Sequence, residues 1–137
     1  MQLTRSQLRE KIMTILYQIS VYDAQKTTYE IEDVIKENME IENEFIKEVV
    51  YGVITHENEI IEKANENLKE WSIDRLDKTG QAILKIAIYE LTYTETPEVV
   101  VINEAVELAK KYSDDRVRKM INAVLDRMIN EWKKKDM

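Results

Sequence analysis

The sequence predicts an all-α fold of six or seven helices, on three observations. Glycine occurs twice and proline once in 137 residues, whereas each ordinarily makes up about 5–7% of a chain. The turns that a sandwich or barrel needs are therefore missing. Apolar residues recur at three- and four-residue spacing along most of the chain, the period of an amphipathic helix. The stretch 79–93 is apolar on nearly every side (Ala82, Ile83, Leu84, Ile86, Ala87, Ile88, Leu91), as a buried central helix is. We read one domain over residues 1–137, since a chain of 16.3 kDa buries about two-thirds of its unfolded surface and needs no staples.

Along the chain, Leu8, Ile12, Ile15, Leu16 and Ile19 set a first helix over residues 4–21, capped by Thr4 or Ser6. Residues 22–29 read as a loop, and 30–38 as a short helix with Thr28 available as its cap. A long helix is expected from about Asn43 to Trp71. One stripe of Phe45, Ile46, Val49, Val50, Val53 and Ile54 continues into Ile60, Ile61, Ala64, Leu68 and Trp71. Gly52 sits mid-pattern and costs about 1 kcal/mol against alanine, so it reads as a close helix contact rather than an end. Asp74 to Lys78 form a single turn before the central helix. Thr96-Pro97-Glu98 is a break, with proline tolerated at a helix start, and the following helix ends near Tyr112. Ser113 or Asp114 caps the last helix, whose Met120, Ile121, Val124, Leu125, Met128, Ile129 and Trp132 make an amphipathic stripe.

Composition excludes several classes of function. Without cysteine there is no disulfide framework, thiolate zinc site or cysteine nucleophile. The longest aliphatic run is Val99 to Ile102, too short to span a bilayer, and the N-terminus lacks the apolar stretch of a secretory signal. A soluble cytoplasmic protein is the expectation. The formal net charge is −7, which argues against broad nonspecific nucleic-acid binding. The charge is unevenly spread, however. Residues 30–70 carry thirteen acidic and four basic side chains, while residues 110–137 carry nine basic and five acidic. A local basic surface built from the two ends of the chain is compatible with that pattern.

Catalytic chemistry is scarce. His56 is the only histidine, and its surroundings, H-E-N-E, are not H-E-x-x-H. A general base or a metal site needs more partners than this, so His56 reads as a surface or interhelical residue. Two glycines cannot build a phosphate loop, and no G-x-S-x-G elbow is present. Glu40, Glu42, Glu44, Glu57, Glu59 and Glu62 read as solvated helix faces. We expect no enzyme, no catalytic residue, no metal and no cofactor.

Two features suit recognition instead. Arg9, Met13 and Tyr17 lie on a strip of the first helix away from its core stripe, with Tyr17 nearly opposite it. Arginine pairs with phosphates, and both arginine and tyrosine stack on bases. The alternative, a helix buried on two sides with Tyr17 in the core, stays open. Arg116, Arg118 and Lys119 open the last helix, where positive charge opposes the helix dipole and suggests an anionic partner. A solvated face offset by Asp114 and Asp115 is the alternative. Lys133-Lys134-Lys135 sits where the dipole favours it and reads as structural.

Longer strings then carry a resemblance. They are Arg9-Glu10 with Leu16-Tyr17-Gln18; Phe45 with Val50, Gly52, Val53 and His56; and Leu68, Trp71, Arg75 and Leu76 leading to Ile83-Leu84-Lys85-Ile86-Ala87 and Tyr89-Glu90-Leu91. After Pro97 come Ile102-Asn103-Glu104-Ala105-Val106-Glu107-Leu108-Ala109-Lys110 and Lys119-Met120-Ile121-Asn122-Ala123-Val124-Leu125-Asp126. Together they resemble the NusB family of transcription antitermination factors over essentially the whole chain. The resemblance implies two small packed helical bundles. It also implies pairing with NusE, a small-subunit ribosomal protein, and binding of boxA RNA in nascent ribosomal RNA. RNA polymerase is thereby helped to resist termination.

By position, the resemblance implies RNA contacts from Arg5, Arg9, Lys85 and Lys119, with Lys11 nearby, and partner contacts from Tyr17 and Met120; the basic start of the last helix adds Arg116 and Arg118 to the RNA set, and the strip of the first helix adds Met13 to the partner set. Only Arg5 and Arg9 match the family's N-terminal arginines, so that arm is thin and affinity rests more on NusE. Met120 stands where the family usually has Phe, and Ala123 where it has Gly. Asn103, Glu104 and Asn122 are expected to hold helices together, since buried polar groups need partners. The cations of the two chain ends are expected to converge into one patch. Relatives include homodimers, so a homodimer is a further possible assembly. An RNA-binding module of the kind fused to ribosomal-RNA methyltransferases and a helical protein-binding adaptor are the competing readings. A chain ending at Met137 without a cofactor domain favours a free-standing protein over the first.

Overall fold

The computed structural model describes residues 2–69 and 71–135. These residues form seven α-helices, one 3-10 turn and no strand. The helices are α1 (Arg5–Ala24), α2 (Ile31–Asn38), α3 (Glu44–Thr55), α4 (Glu57–Asn67), α5 (Lys78–Tyr93), α6 (Glu98–Tyr112) and α7 (Asp115–Lys135), with the 3-10 turn at Ile73–Arg75 before α5. The expected central helix is central: α5 packs on α1, α3, α4, α6 and α7. Around it stand two small bundles, α1 with α2 and α3 on one side, and α4 with α6 and α7 on the other.

Local chemistry sets most of the ends. Thr4 and Gln7 form a reciprocal capping box on α1. Asn43, Asp77 and Asp114 each accept a backbone N–H at the starts of α3, α5 and α7. Thr28 does not cap α2; Glu30 holds that position without a side-chain bond. Helix α1 runs to Ala24, past its expected end, and closes on Lys26 in the left-handed region (φ 57°). The Lys26 and Thr27 amides bond back to Asp23 and Tyr22, a Schellman closure.

The long helix expected from Asn43 to Trp71 is two helices. It breaks at His56, whose backbone leaves the helical region (φ −103°, ψ 17°). Nothing local marks the break, because the apolar stripe keeps its phase from Val53 to Ile60. His56 instead stacks on Tyr93 of α5, with ring centroids 4.0 Å apart.

Both glycines sit where helices touch. A Cβ on Gly52 would lie 2.2 Å from the Tyr89 ring, so α3 reaches α5 only without one. A Cβ on Gly80 would lie 2.8 Å from Val117 Cγ1, where α5 meets α7.

Candidate nucleic-acid interface

Helix α1 carries the first candidate cations, and its surroundings decide which face solvent. Arg9 is not one of them. It is 3% exposed and donates to buried Glu90 of α5 through Nε (2.9 Å) and Nη2 (2.8 Å), a fork-on-fork pair. Glu90 is 1% exposed. Burial opposes the Arg9 charge, but the hydrogen bonds and charge of Glu90, with Glu104 further away, outweigh it and hold the guanidinium above its ordinary range. Met13 is buried as well.

The expected open strip Arg9–Met13–Tyr17 is thus corrected: only Tyr17, 42% exposed, faces outward. The physical reason is that α1 packs on α2, α3 and α5 at once, which widens its buried arc past the single stripe. Arg9 is withdrawn from any RNA-contacting set. The other α1 cations stay near the surface. The Arg5 guanidinium is exposed and lies 4.0 Å from the Phe45 ring centroid. Half-buried Lys11 donates to the Asn38 carbonyl of α2.

At the start of α7, exposed Arg116 lies over the Trp71 ring, 4.2 Å from its centroid. Arg118 pairs with Asp115 at 3.3 Å. Lys119 is exposed, with no ion pair among the described residues, and Met120 is half-buried against the core. Lys85 is mostly covered, faces Glu57 at 3.7 Å, and lines a cleft with Leu16, Ser20, Asp23 and Gln81.

The expectation of one patch uniting Arg5, Arg9, Lys85 and Lys119 is corrected too. Arg5 and Arg9 line a groove with Phe45, Pro97 and Val100, whereas Lys85 lines the other cleft. Lys119 stands on the outer face of α7. Burial of Arg9 and the Glu57 pairing of Lys85 remove two of the four from free solvent.

Several contacts were not foreseen. Lys111 and Tyr112, at the end of α6, both donate to Glu10 of α1 (2.7 and 3.0 Å). The Lys111 bond is the main reason the Glu10 carboxyl sits below its usual range; burial pulls the other way and Tyr112 adds to the lowering. Among the expected helix-holding residues, Glu104 fits: it accepts from Ser6 of α1 and lies 3.9 Å from Arg9. Asn103 is exposed, and among the described residues the Asn122 side chain bonds only to Asp126 of its own helix. The sequence did hold one signal for the Arg9–Glu90 pair, since Glu90 is a lone carboxylate in an otherwise apolar stretch. Trp71 and Phe45 carried no such signal, because at helical spacing each reads as core.

No three His, Asp or Glu side chains among the described residues come together as a metal-binding set. No helix of the described residues is long and apolar enough to cross a membrane.

A model of the NusB family matches residues 6–130. The chain belongs to the NusB family. Among its relatives, the transcription antitermination protein NusB of Macrococcus caseolyticus is 40% identical over 129 residues, covering 93% of this chain and 97% of the relative. That of Staphylococcus aureus is 42% identical over 124 residues, covering 90% and 96%. Among solved structures, NusB of T. maritima superposes with a TM-score of 0.80 at 26% identity, covering all of both chains. A chain from the complex of antitermination factors NusB and NusE with dsRNA superposes with a TM-score of 0.77 at 27% identity, covering 93% of this chain and 96% of that one.

Proposed function

We propose that this NusB-family protein is a transcription antitermination factor. It pairs with NusE, binds the boxA element of nascent ribosomal RNA, and helps the RNA polymerase elongation complex resist termination. The whole chain acts as one RNA-binding domain, catalyses no reaction and works in the cytoplasm. One observation carries this reading: the likeness, over 93% of the chain, to a structure that holds NusB, NusE and RNA together.

The residues that remain available for the RNA backbone are Arg5, Lys11, Arg116, Arg118 and Lys119, with Tyr17 exposed for stacking or for NusE. Lys85 reaches RNA only by leaving Glu57. With a net charge of −7, the protein repels RNA at long range, so binding depends on this local set and on the partner. Each phosphate contact releases counterions, and the log–log salt slope falls by about 0.7 per contact on single-stranded RNA.

The test is a gel shift with boxA RNA, with and without NusE. RNA binding that requires both proteins is expected. Absence of binding under both conditions refutes the reading and leaves a protein-binding helical adaptor.

A further inference from the structure

We infer that Trp71 and Arg116 together form a stacking site for one nucleotide of single-stranded RNA, in the order indole, guanidinium, base. This rests on the RNA-binding function proposed above and adds a residue and a mode of contact to it.

Trp71 lies in the segment between α4 and the 3-10 turn and is half-buried against the core, so its ring is backed by protein. Arg116 lies over that ring with its guanidinium carbon 4.2 Å from the centroid, and the side chain is otherwise exposed. The guanidinium is thus held over the indole ring, and the side chain is open to solvent away from it.

A guanidinium fixed in this way offers two things a mobile lysine does not: a flat face on which a base can stack, and an N–H edge that takes a phosphate in bidentate fashion. No carboxylate lies within ion-pair reach of Arg116 among the described residues. Its neighbours Lys110, Lys111 and Arg118 each face one. Position adds to this. Arg116 stands in the first turn of α7, where a cation is disfavoured by the helix dipole, so an anion is the ligand that relieves it. Met120, one turn further along the same strip, is half-buried and extends the apolar border of the site. Exposed Lys119 stands next to it. A planar base with a phosphate attached suits this combination better than an acidic peptide, which offers charge without a flat face.

Trp71 acts through Arg116 and is a positioning residue, so the experiment separates charge from stacking. The full chain with NusE is titrated against boxA single-stranded RNA over a salt series, and each variant's thermal melt is checked against wild type. Arg116→Gln is expected to bind about tenfold more weakly, with a salt slope shallower by about 0.7. Arg116→Lys keeps the wild-type slope yet still loses several-fold in affinity. Trp71→Ala loses about as much as Arg116→Gln, and the double variant loses no more than either single one. Trp71→Phe, which preserves a ring and guards against simple unfolding, binds nearly as wild type does.

Full affinity in Arg116→Lys, or additive losses in the double variant, would overturn the stacked arrangement while leaving the antitermination reading intact. A wild-type pair that binds no RNA overturns that reading, and this one with it.

Discussion

Two arginines of this protein meet opposite fates. Arg9, in the α1–α5 seam, gives its planar edge to Glu90 and is lost to solvent. Arg116, at the start of α7, lies over Trp71 and has no ion pair among the described residues. A guanidinium serves the interior when a carboxylate matches its fork, and serves recognition when an aromatic ring holds it without consuming its donors. Removing the first strands a buried charge, whereas removing the second strands nothing.

The largest effect is therefore expected at Arg9. Arg9→Met leaves Glu90 uncompensated in the interior and should cost about 3–5 kcal/mol of stability, read by chemical denaturation. The double variant Arg9→Met with Glu90→Leu should recover most of that loss, because an apolar pair of similar volume replaces the ions. A stable Arg9→Met that fails only in RNA binding would break the contrast and return Arg9 to the interface.

Next comes the seam's other tight point. Gly52→Ala drives a methyl into the Tyr89 ring and should cost about 1–3 kcal/mol as overpacking, again by denaturation.

A smaller effect extends the contrast from cations to phenols. Tyr29 is pushed up to about 12 by burial first and by its hydrogen bond to Asp23 second. Tyr93 is pushed up to about 12 chiefly by its hydrogen bond to Glu59. The folded state keeps both protons. Their stabilising effect is thus complete below the ordinary phenol value of 10.0 and is lost as pH rises through about 12. Tyr51, through its hydrogen bond to Glu32, and Tyr89, through burial, are raised as well, so phenolate absorbance should show four of the seven tyrosines titrating late, Tyr29 and Tyr93 among them, with unfolding setting in over the window up to about 12.

The smallest effect belongs to Arg116. Arg116→Gln should change stability by less than about 1 kcal/mol, the size of an exposed cation–π contact, while still weakening RNA binding. A large destabilisation would show that the Trp71 stack holds the fold rather than a ligand.

Much of the fold was legible because it is local. The caps at Thr4 and Asp114, the break before α6 and the apolar circumference of α5 follow from side-chain hydrogen bonding and from the 3.6-residue period. Gly52 was legible as a contact because a mid-helix glycine has a cost that close packing explains. The break at His56 was not, since the apolar stripe runs through it in phase and the residue His56 stacks on there, Tyr93, belongs to another helix. The candidate site was legible only in part. Of the two readings left open for α1, Tyr17 follows the outward one, while Arg9 and Met13 are inside; at α7 Arg118 pairs with Asp115, as the offset-face alternative had it, and the aromatic partners of Arg5 and Arg116 went unseen.

By itself, then, the chain's order of residues determined most of its helices, the centre of their core stripes and its family, because periodicity and motif spacing are properties of neighbours along the backbone. Only the tertiary structure decided which charges face water. That outcome depends on how many other helices press on a given face, and for α1 those are α2, α3 and α5, the last of which brings Glu90 to Arg9 across 81 positions of sequence.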